Sequence, residues 1–164
     1  MNDLMDALWP TPLDEAAPRA YAILDAARDD GIYPALLAAD CEWQCLYRGD
    51  AAVTMAEVAP YLVALDPASK FTPWLLEKAW GNSWGVFFVA TVKMEALRAH
   101  FRRFIMARLP DGRSVYFRFY DPRVLRVYLP TCTTEEREML FGPVLRFVME
   151  GEQKETLVFP PVSP

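Results

Sequence analysis

A serine between two glycines is the first place where this sequence could carry chemistry. Residues 81–85 read Gly-Asn-Ser-Trp-Gly, which matches the G-x-S-x-G pattern that presents a nucleophilic serine in α/β-hydrolases. That motif needs a strand before the serine and a helix after it, whereas the sequence here predicts a helix before Ser83 and a strand after it. The only histidine, His100, precedes the acids Asp111 and Asp121, although this elbow needs its histidine last. The pattern therefore favours a helix-to-strand loop over a hydrolase site.

The three cysteines are candidates for metal binding or for nucleophilic catalysis. Cys41 and Cys45 have the spacing C-x-x-x-C, and Cys132 lies far along the chain. Structural zinc takes four Cys or His ligands at tighter spacing, and His100 is the only further candidate. A nucleophile set of Cys132, His100 and Asp121 has no spacing that supports it. We therefore expect buried thiols, no metal, no cofactor and no catalytic residue.

The stretch at 109–130, LPDGRSVYFRFYDPRVLRVYLP, is the one that the other elements must position. Alternating bulky residues at 115–120 predict a central strand that is covered on both faces. Arg118 would then be largely buried and paired with a carboxylate, unless its guanidinium reaches the surface along the strand. After it, Asp121 and Pro122 predict the cap and first turn of a short helix. The candidate partners of Arg118 are Asp25, Asp66 and Asp121.

Strands alternate with helices along most of the chain. This pattern predicts an α/β fold in a single domain, with a mixed β-sheet flanked by helices. In the long helix predicted at 94–109, Arg98 and Arg102 lie opposite the apolar side. Strands are predicted at 19–27, 59–65, 84–90, 144–149 and 156–159, and helices at 32–39, 71–80 and 94–109, with two more from Pro122 and Thr134.

Composition sets the limits of the domain. An apolar fraction of 53% in 164 residues supports one full core. We expect the domain to run from 19 to 160, after a flexible N-terminal arm at 1–18 and before a short tail at 161–164. The arm holds three prolines and four acidic residues with little periodicity.

Several classes of protein are disfavoured by the same composition. No apolar run reaches the roughly 18 residues of a membrane span, and the first residues lack the pattern of a secretory signal. An odd number of cysteines does not make a disulfide framework. A pI near 4.9 argues against nucleic acid, although the segment VYFRFY is similar to a base-stacking strand. We therefore expect a cytoplasmic protein with reduced thiols.

Charge is spread unevenly along the chain. The net charge is −5, but residues 93–126 hold nine Lys/Arg and three Asp/Glu, a local +6 against −11 for the rest. Such polarity favours a partner that docks by charge complementarity. A solvated helix face beside one internal arginine explains the same count.

The order of these segments resembles one known family. YAILDAA, LYRG, PYLVALD, WGNSWGVFFVA, EALRAHFRRF and FGPV occur in its order, and DGR followed six residues later by YDPR is the most specific part. The chain resembles, from about Ala20 to Val148, the domain-of-unknown-function family four-one-two-three, the effector chaperones or adaptors of bacterial type VI secretion. The resemblance implies a non-enzymatic chaperone that binds a toxic effector and helps load it onto the secretion spike protein.

A partner surface is predicted where strand ends open onto loops. Interface cores favour Trp, Tyr and Arg, and such residues cluster in the Trp43–Arg48 segment and after the 115–120 strand. In the alternative interpretation, Arg123 only supports the Asp121 turn and Trp43 is part of the core. The predicted partner-binding residues are Trp43, Tyr47, Arg48, Asp121, Arg123 and Arg126.

Two other functions stay open from the sequence. One is a small hydrolase or transferase that uses Ser83 or Cys132. The other is an immunity-type inhibitor, which would bind a toxin to protect the cell rather than to deliver it.

Overall fold

A computed structural model describes the chain at residues 2–10 and 18–161. The helices are α1 (Asn2–Leu8), α2 (Ile32–Leu37), α3 (Asp50–Thr54), α4 (Phe71–Ala79), α5 (Met94–Phe101), α6 (Pro122–Tyr128) and α7 (Thr134–Phe141). The strands are β1 (Arg19–Asp25), β2 (Trp43–Cys45), β3 (Pro60–Ala64), β4 (Gly85–Ala90), β5 (Met106–Arg108), β6 (Ser114–Tyr116), β7 (Val144–Glu150) and β8 (Thr156–Phe159). Short 3-10 turns lie at Ala26–Arg28, Ala56–Val58 and Leu129–Thr131.

Six strands form one sheet in the order β2-β3-β1-β4-β7-β8, and β5 and β6 form a separate hairpin. The predicted α/β class is confirmed. The expected mixture of parallel and antiparallel pairs is corrected, because all the pairs among the described strands are antiparallel. β1 and β4 lie in the middle of the sheet with nearly every residue buried, which explains why their sequences are apolar without alternation.

Aromatic rings build the core on the first face of the sheet. Tyr21 stacks on Phe88 of the neighbouring strand with ring centroids 5.5 Å apart. Phe101 of α5 meets Phe88 edge-on at 5.0 Å, and Phe141 of α7 meets Phe147 at 4.9 Å. These contacts place α5 and α7 on this face, where each ring pair adds about 0.5–1.5 kcal/mol beyond its buried area.

Helices also cover the second face. Tyr33 of α2 stacks on Tyr61 of β3 at 5.7 Å, and Trp80, next to α4, contacts Phe87 of β4 at 5.9 Å. Since Tyr61 and Phe87 alternate with the residues of the first face, α2 and α4 lie on the opposite side. The fold is therefore a three-layer sandwich of helices, sheet and helices.

The start of the predicted flexible arm is a helix in the structure. Residues 2–8 form α1, with Leu4 and Leu8 fully buried and the Ala7 carbonyl accepting a hydrogen bond of 2.8 Å from Arg146 Nε. The two leucines are four residues apart and share one side of a helix, a short pattern that the nearby prolines obscure. The stretch at 11–17 and the tail from 162 lie outside the described residues.

The predicted central strand at 115–120 is wrong. Only Ser114–Tyr116 is a strand, and all three of its residues are exposed. α5 ends at Phe101 instead of continuing to 109, so the chain returns as β5 and pairs with β6. The chain then turns inward, and Phe119 stacks on Phe101 at 5.6 Å. The alternating rings therefore come from an exposed hairpin followed by a buried turn.

Candidate partner-binding site

Most of the predicted site residues lie at one end of the sheet, where its strands start and stop. β1 and β7 end there, at Asp25 and Glu150, and β3, β4 and β8 begin there. We call this end of the strands the Asp25 edge. Asp25, Asp121 and Glu150 are all buried, and each accepts hydrogen bonds from basic or backbone groups. Buried carboxylates need such partners, because an unpaired charge is costly away from water.

Arg118 pairs with Asp25, one of the three carboxylates considered from the sequence. Its Nη2 donates to Asp25 Oδ2, and this hydrogen bond raises the pKa of Arg118 above its ordinary value. The predicted burial of Arg118 is wrong, because 43% of its side chain is exposed whereas Asp25 is 2% exposed. The arginine therefore covers a buried acid from the solvent side, which a hairpin permits and a central strand would not.

Asp121 and Arg123 form a closed turn at the start of α6. The Asp121 carboxylate accepts from the Arg123 backbone N–H at 2.9 Å, from Nε at 3.0 Å and from Nη2 at 2.6 Å. Burial alone would raise the pKa of Asp121, but these hydrogen bonds and the charges of Arg123 and Arg118 bring it below its ordinary value. Asp121 thus caps the helix as predicted, and Arg123 supports that turn.

Arg126 is less available to a partner than the sequence implied. Its side chain is 17% exposed, its Nη1 donates to the Glu150 carbonyl at 3.4 Å, and its Nη2 lies 3.7 Å from Glu152 Oε1. Much of its positive charge is therefore directed at the β7–β8 turn.

Ser83 sits in a loop that Glu150 holds. Its N–H and its Oγ each donate to Glu150 Oε1 at 3.0 Å, and the Gly81 N–H donates to the other carboxylate oxygen. Gly85 is required by packing, because a Cβ there would collide with the Ile23 carbonyl of the adjacent strand. The two glycines and the serine of the G-x-S-x-G pattern thus have roles in the loop and the sheet.

His100 lies in the packing between α5 and α7. Its Nε2 is 2.8 Å from the Leu140 carbonyl, and its Nδ1 is 3.3 Å from Arg103 Nη2. Burial lowers the pKa of His100, so the neutral ring donates through Nε2 and accepts at Nδ1. Gly142 has a φ of 46° directly against this ring, where a Cβ has no room. The structure therefore does not bring His100 to Ser83, whose polar partner is Glu150.

Tyr47 and Arg48 reach the Asp25 edge, but Trp43 does not join them. The buried Tyr47 contacts Tyr116 of the hairpin at 5.4 Å between ring centroids, and Arg48 is exposed. Trp43 is half-buried and meets Tyr61 edge-on at 5.5 Å on the second face of the sheet. The predicted binding residues therefore divide into a group at this edge and one tryptophan packed elsewhere.

With this geometry established, comparison with known proteins shows the family. Residues 20–139 match the family described as a domain of unknown function, DUF4123. The chain belongs to this family. The match runs from β1 into α7, so it includes the hairpin, the Asp121 turn and most of the Asp25 edge, and the predicted resemblance is confirmed. No curated protein and no solved structure matches the chain.

Arg102 is a structural residue of this DUF4123 chain that the sequence did not reveal. It donates to three carbonyls at the end of β2 and just after it, those of Cys45 at 3.1 Å, Leu46 at 3.1 Å and Tyr47 at 2.8 Å. Arg98, one helical turn earlier, donates to the same Cys45 carbonyl at 3.2 Å. The side of α5 predicted to face solvent therefore fixes the segment that carries Tyr47. Two arginines four residues apart were the signal, but it also fits a solvated face.

The thiols of the DUF4123 chain are not activated. Burial raises the pKa of Cys41 to about 11, and it also raises the pKa of Cys45 and Cys132, so all three are protonated at neutral pH. Among the residues that the structure describes, no three His, Cys, Asp or Glu side chains are grouped to hold a metal ion. In the same ranges, no helix is long and apolar enough to cross a membrane.

Proposed function

We propose that this DUF4123 chain is a cytoplasmic adaptor chaperone that binds a toxic effector and helps load it onto the spike protein of a type VI secretion system. Membership of the family over residues 20–139 carries the proposal. In this chain the most specific segment, DGR to YDPR, forms the β6 side of the hairpin and the Asp121 turn. In an adaptor, this segment would thus form an exposed hairpin within the basic region at 93–126.

The exposed apolar residues support this function. Met106 and Tyr116 on the hairpin and Val58 on the segment opposite are large exposed side chains that line two adjacent cavities. A protein that waits for a partner must keep such a surface uncovered, and exposed apolar residues grouped in one place mark interaction sites. The neighbouring arginines would keep this surface soluble until the partner arrives.

A co-purification experiment tests the proposal. The chain is tagged and expressed with the effector and the spike protein encoded beside it. An adaptor retains both proteins and leaves the effector toxic after release, whereas an immunity-type inhibitor retains the effector alone and abolishes its activity. Failure to retain the effector in low salt, where charge attraction is strongest, would refute the adaptor function.

The enzymatic alternative is tested at Ser83 and Cys132. An adaptor tolerates Ser83→Ala and Cys132→Ser with effector delivery unchanged. A serine-directed phosphonate that labels Ser83 stoichiometrically would overturn the proposal in favour of a hydrolase.

A further inference from the structure

A groove runs between the β5–β6 hairpin and the segment at 46–58. Tyr47 on one wall and Tyr116 on the other touch across its middle, with ring centroids 5.4 Å apart. A cavity of about 180 Å³ lies on one side of this ring pair and a cavity of about 210 Å³ on the other, and both tyrosines line both. We call this feature the hairpin groove.

Each cavity of the hairpin groove has apolar walls. Leu46, Ile105 and Met106 line the first, and Met55 and Val58 line the second. Each volume is below the roughly 300–1,000 Å³ of a small-molecule site and is closer to the size of a single large side chain. Two such cavities in a row suit consecutive anchor side chains of a protein segment.

The charged groups of the hairpin groove are mainly basic. Arg48 and Arg102 line the first cavity, and Arg118 lines the second. Asp25 is the acid among the lining residues, and its carboxylate already accepts from Arg118. With Arg118 offset by Asp25, Arg48 and Arg102 leave an excess of positive charge around the apolar cavities, and Arg102 belongs to residues 93–126, which carry a local +6.

The Tyr47 wall is fixed before any partner binds. Arg102 holds the carbonyls of residues 45–47, and Arg98 holds one of them a second time. A wall that is already ordered loses little entropy on binding, which favours affinity. The ordering of residues 45–47 explains why Arg98 and Arg102 lie on the side of the helix that packs against this segment.

We propose that the hairpin groove binds an acidic segment of the effector whose apolar side chains enter the two cavities. The inference rests on the proposed adaptor function and adds the site and the chemistry of the partner. Carboxylates of the segment would meet Arg48 at the rim, while its apolar side chains would cover the Tyr47–Tyr116 pair.

Two groove variants and one matched control test this inference. Arg48→Glu reverses an exposed charge at the groove, and Tyr116→Ser removes the hairpin half of the ring pair. Arg113→Glu makes the same charge reversal in the hairpin turn, where the side chain is 75% exposed and lines neither cavity. Effector affinity is measured for each, and thermal melting checks that each variant folds. The groove variants should bind about tenfold more weakly or worse, with Arg113→Glu at wild-type affinity.

Short overlapping peptides that tile the effector identify the segment. Wild-type protein should select peptides that are both acidic and apolar, and Arg48→Glu should lose them. Wild-type affinity in Arg48→Glu and in Tyr116→Ser would overturn the groove while leaving the adaptor function standing. Failure of the wild-type protein to bind the effector would instead refute the adaptor function. A wild-type dimer that Arg48→Glu dissociates, with effector binding unchanged, would also overturn the proposal, because a second copy would be the occupant.

Discussion

Buried carboxylates at the Asp25 edge show how individual charges are used in this protein. Asp25 and Glu150 lie at strand ends and Asp121 lies at a helix start, and each is nearly inaccessible to water. Their partners differ in exposure: the arginines paired with Asp25 and Asp121 are 43% and 46% exposed, whereas Glu150 accepts from the Ser83 loop. The buried acids therefore fix the loops through hydrogen bonds, and the arginines paired with two of them stay partly exposed to solvent.

Arg118→Ala should destabilise the fold by about 1–3 kcal/mol, because among the described residues it leaves the buried Asp25 carboxylate with only the Ala27 N–H as a hydrogen-bond donor. This is less than the roughly 3–5 kcal/mol expected for breaking a fully buried pair, since water reaches Arg118. Urea unfolding measures the change. Adding Asp25→Asn to Arg118→Ala should recover part of the loss, and an unchanged midpoint in Arg118→Ala would contradict the prediction.

Stability should fall as the pH drops below about 6.5, because the pKa of His100 is lower in the folded protein than in the unfolded chain. Above that pH both states are neutral and the contribution is complete. Below it, the unfolded chain binds a proton that the folded ring resists, because burial and the nearby charge of Arg103 outweigh the hydrogen bond to the Leu140 carbonyl, which favours the proton. Urea midpoints measured from pH 7.5 to 5.5 check this. His100→Gln should flatten the profile, since the chain has no other histidine; an equally steep profile would disprove the assignment.

At the scale of elements, sequence and structure agree where one pattern has one explanation. The buried strands β1, β3 and β4 and the capped helices α6 and α7 were all predictable, and a capping box from Thr133 to Glu136 begins α7. Local propensity and burial point the same way in these elements. Their positions followed from the sequence within a few residues.

The elements that were missed are those that tertiary contacts decide. The helical pattern continues past Phe101, but the chain leaves the helix there and returns as β5 to pair with β6. Alternation at 115–120 fits a central strand as well as a hairpin that leads into a buried turn. Periodicity alone does not decide between these two structures, because the choice depends on which other segments pack against residues 115–120. The candidate site suffers the same limit, because the groove exists only once the hairpin is placed opposite Tyr47.

Leu8→Ala should lower the free energy of unfolding by about 2–5 kcal/mol, as expected for a fully buried leucine. The loss would show that α1 is part of the core rather than a loose arm. Asp6→Ala, on the exposed side of the same helix, is the control and should change stability little. Equal stability of Leu8→Ala and the wild type in urea would mean that α1 does not hold the sheet.

At the scale of the whole molecule, the net charge and the local charge make opposite predictions. The chain carries −5 overall, so an acidic partner would be repelled if the total charge controlled binding. Residues 93–126 carry +6 and contribute Arg102, Arg118 and the hairpin, so the same partner would be attracted if the groove controls it. The screening length decides between the two, because only charges within it act on the partner.

Effector binding should weaken as salt rises from about 0.1 M to about 1 M, over which the screening length shortens from about 10 Å to about 3 Å. Added salt removes the attraction of the basic groove, whereas it would strengthen binding if repulsion from the net charge were the larger effect. The sign of the change therefore identifies the controlling charge. Affinities measured across a salt series for the wild type, Arg48→Glu and Arg113→Glu should give the shallowest slope for Arg48→Glu. Binding that strengthens with salt would place the acidic segment away from the hairpin groove.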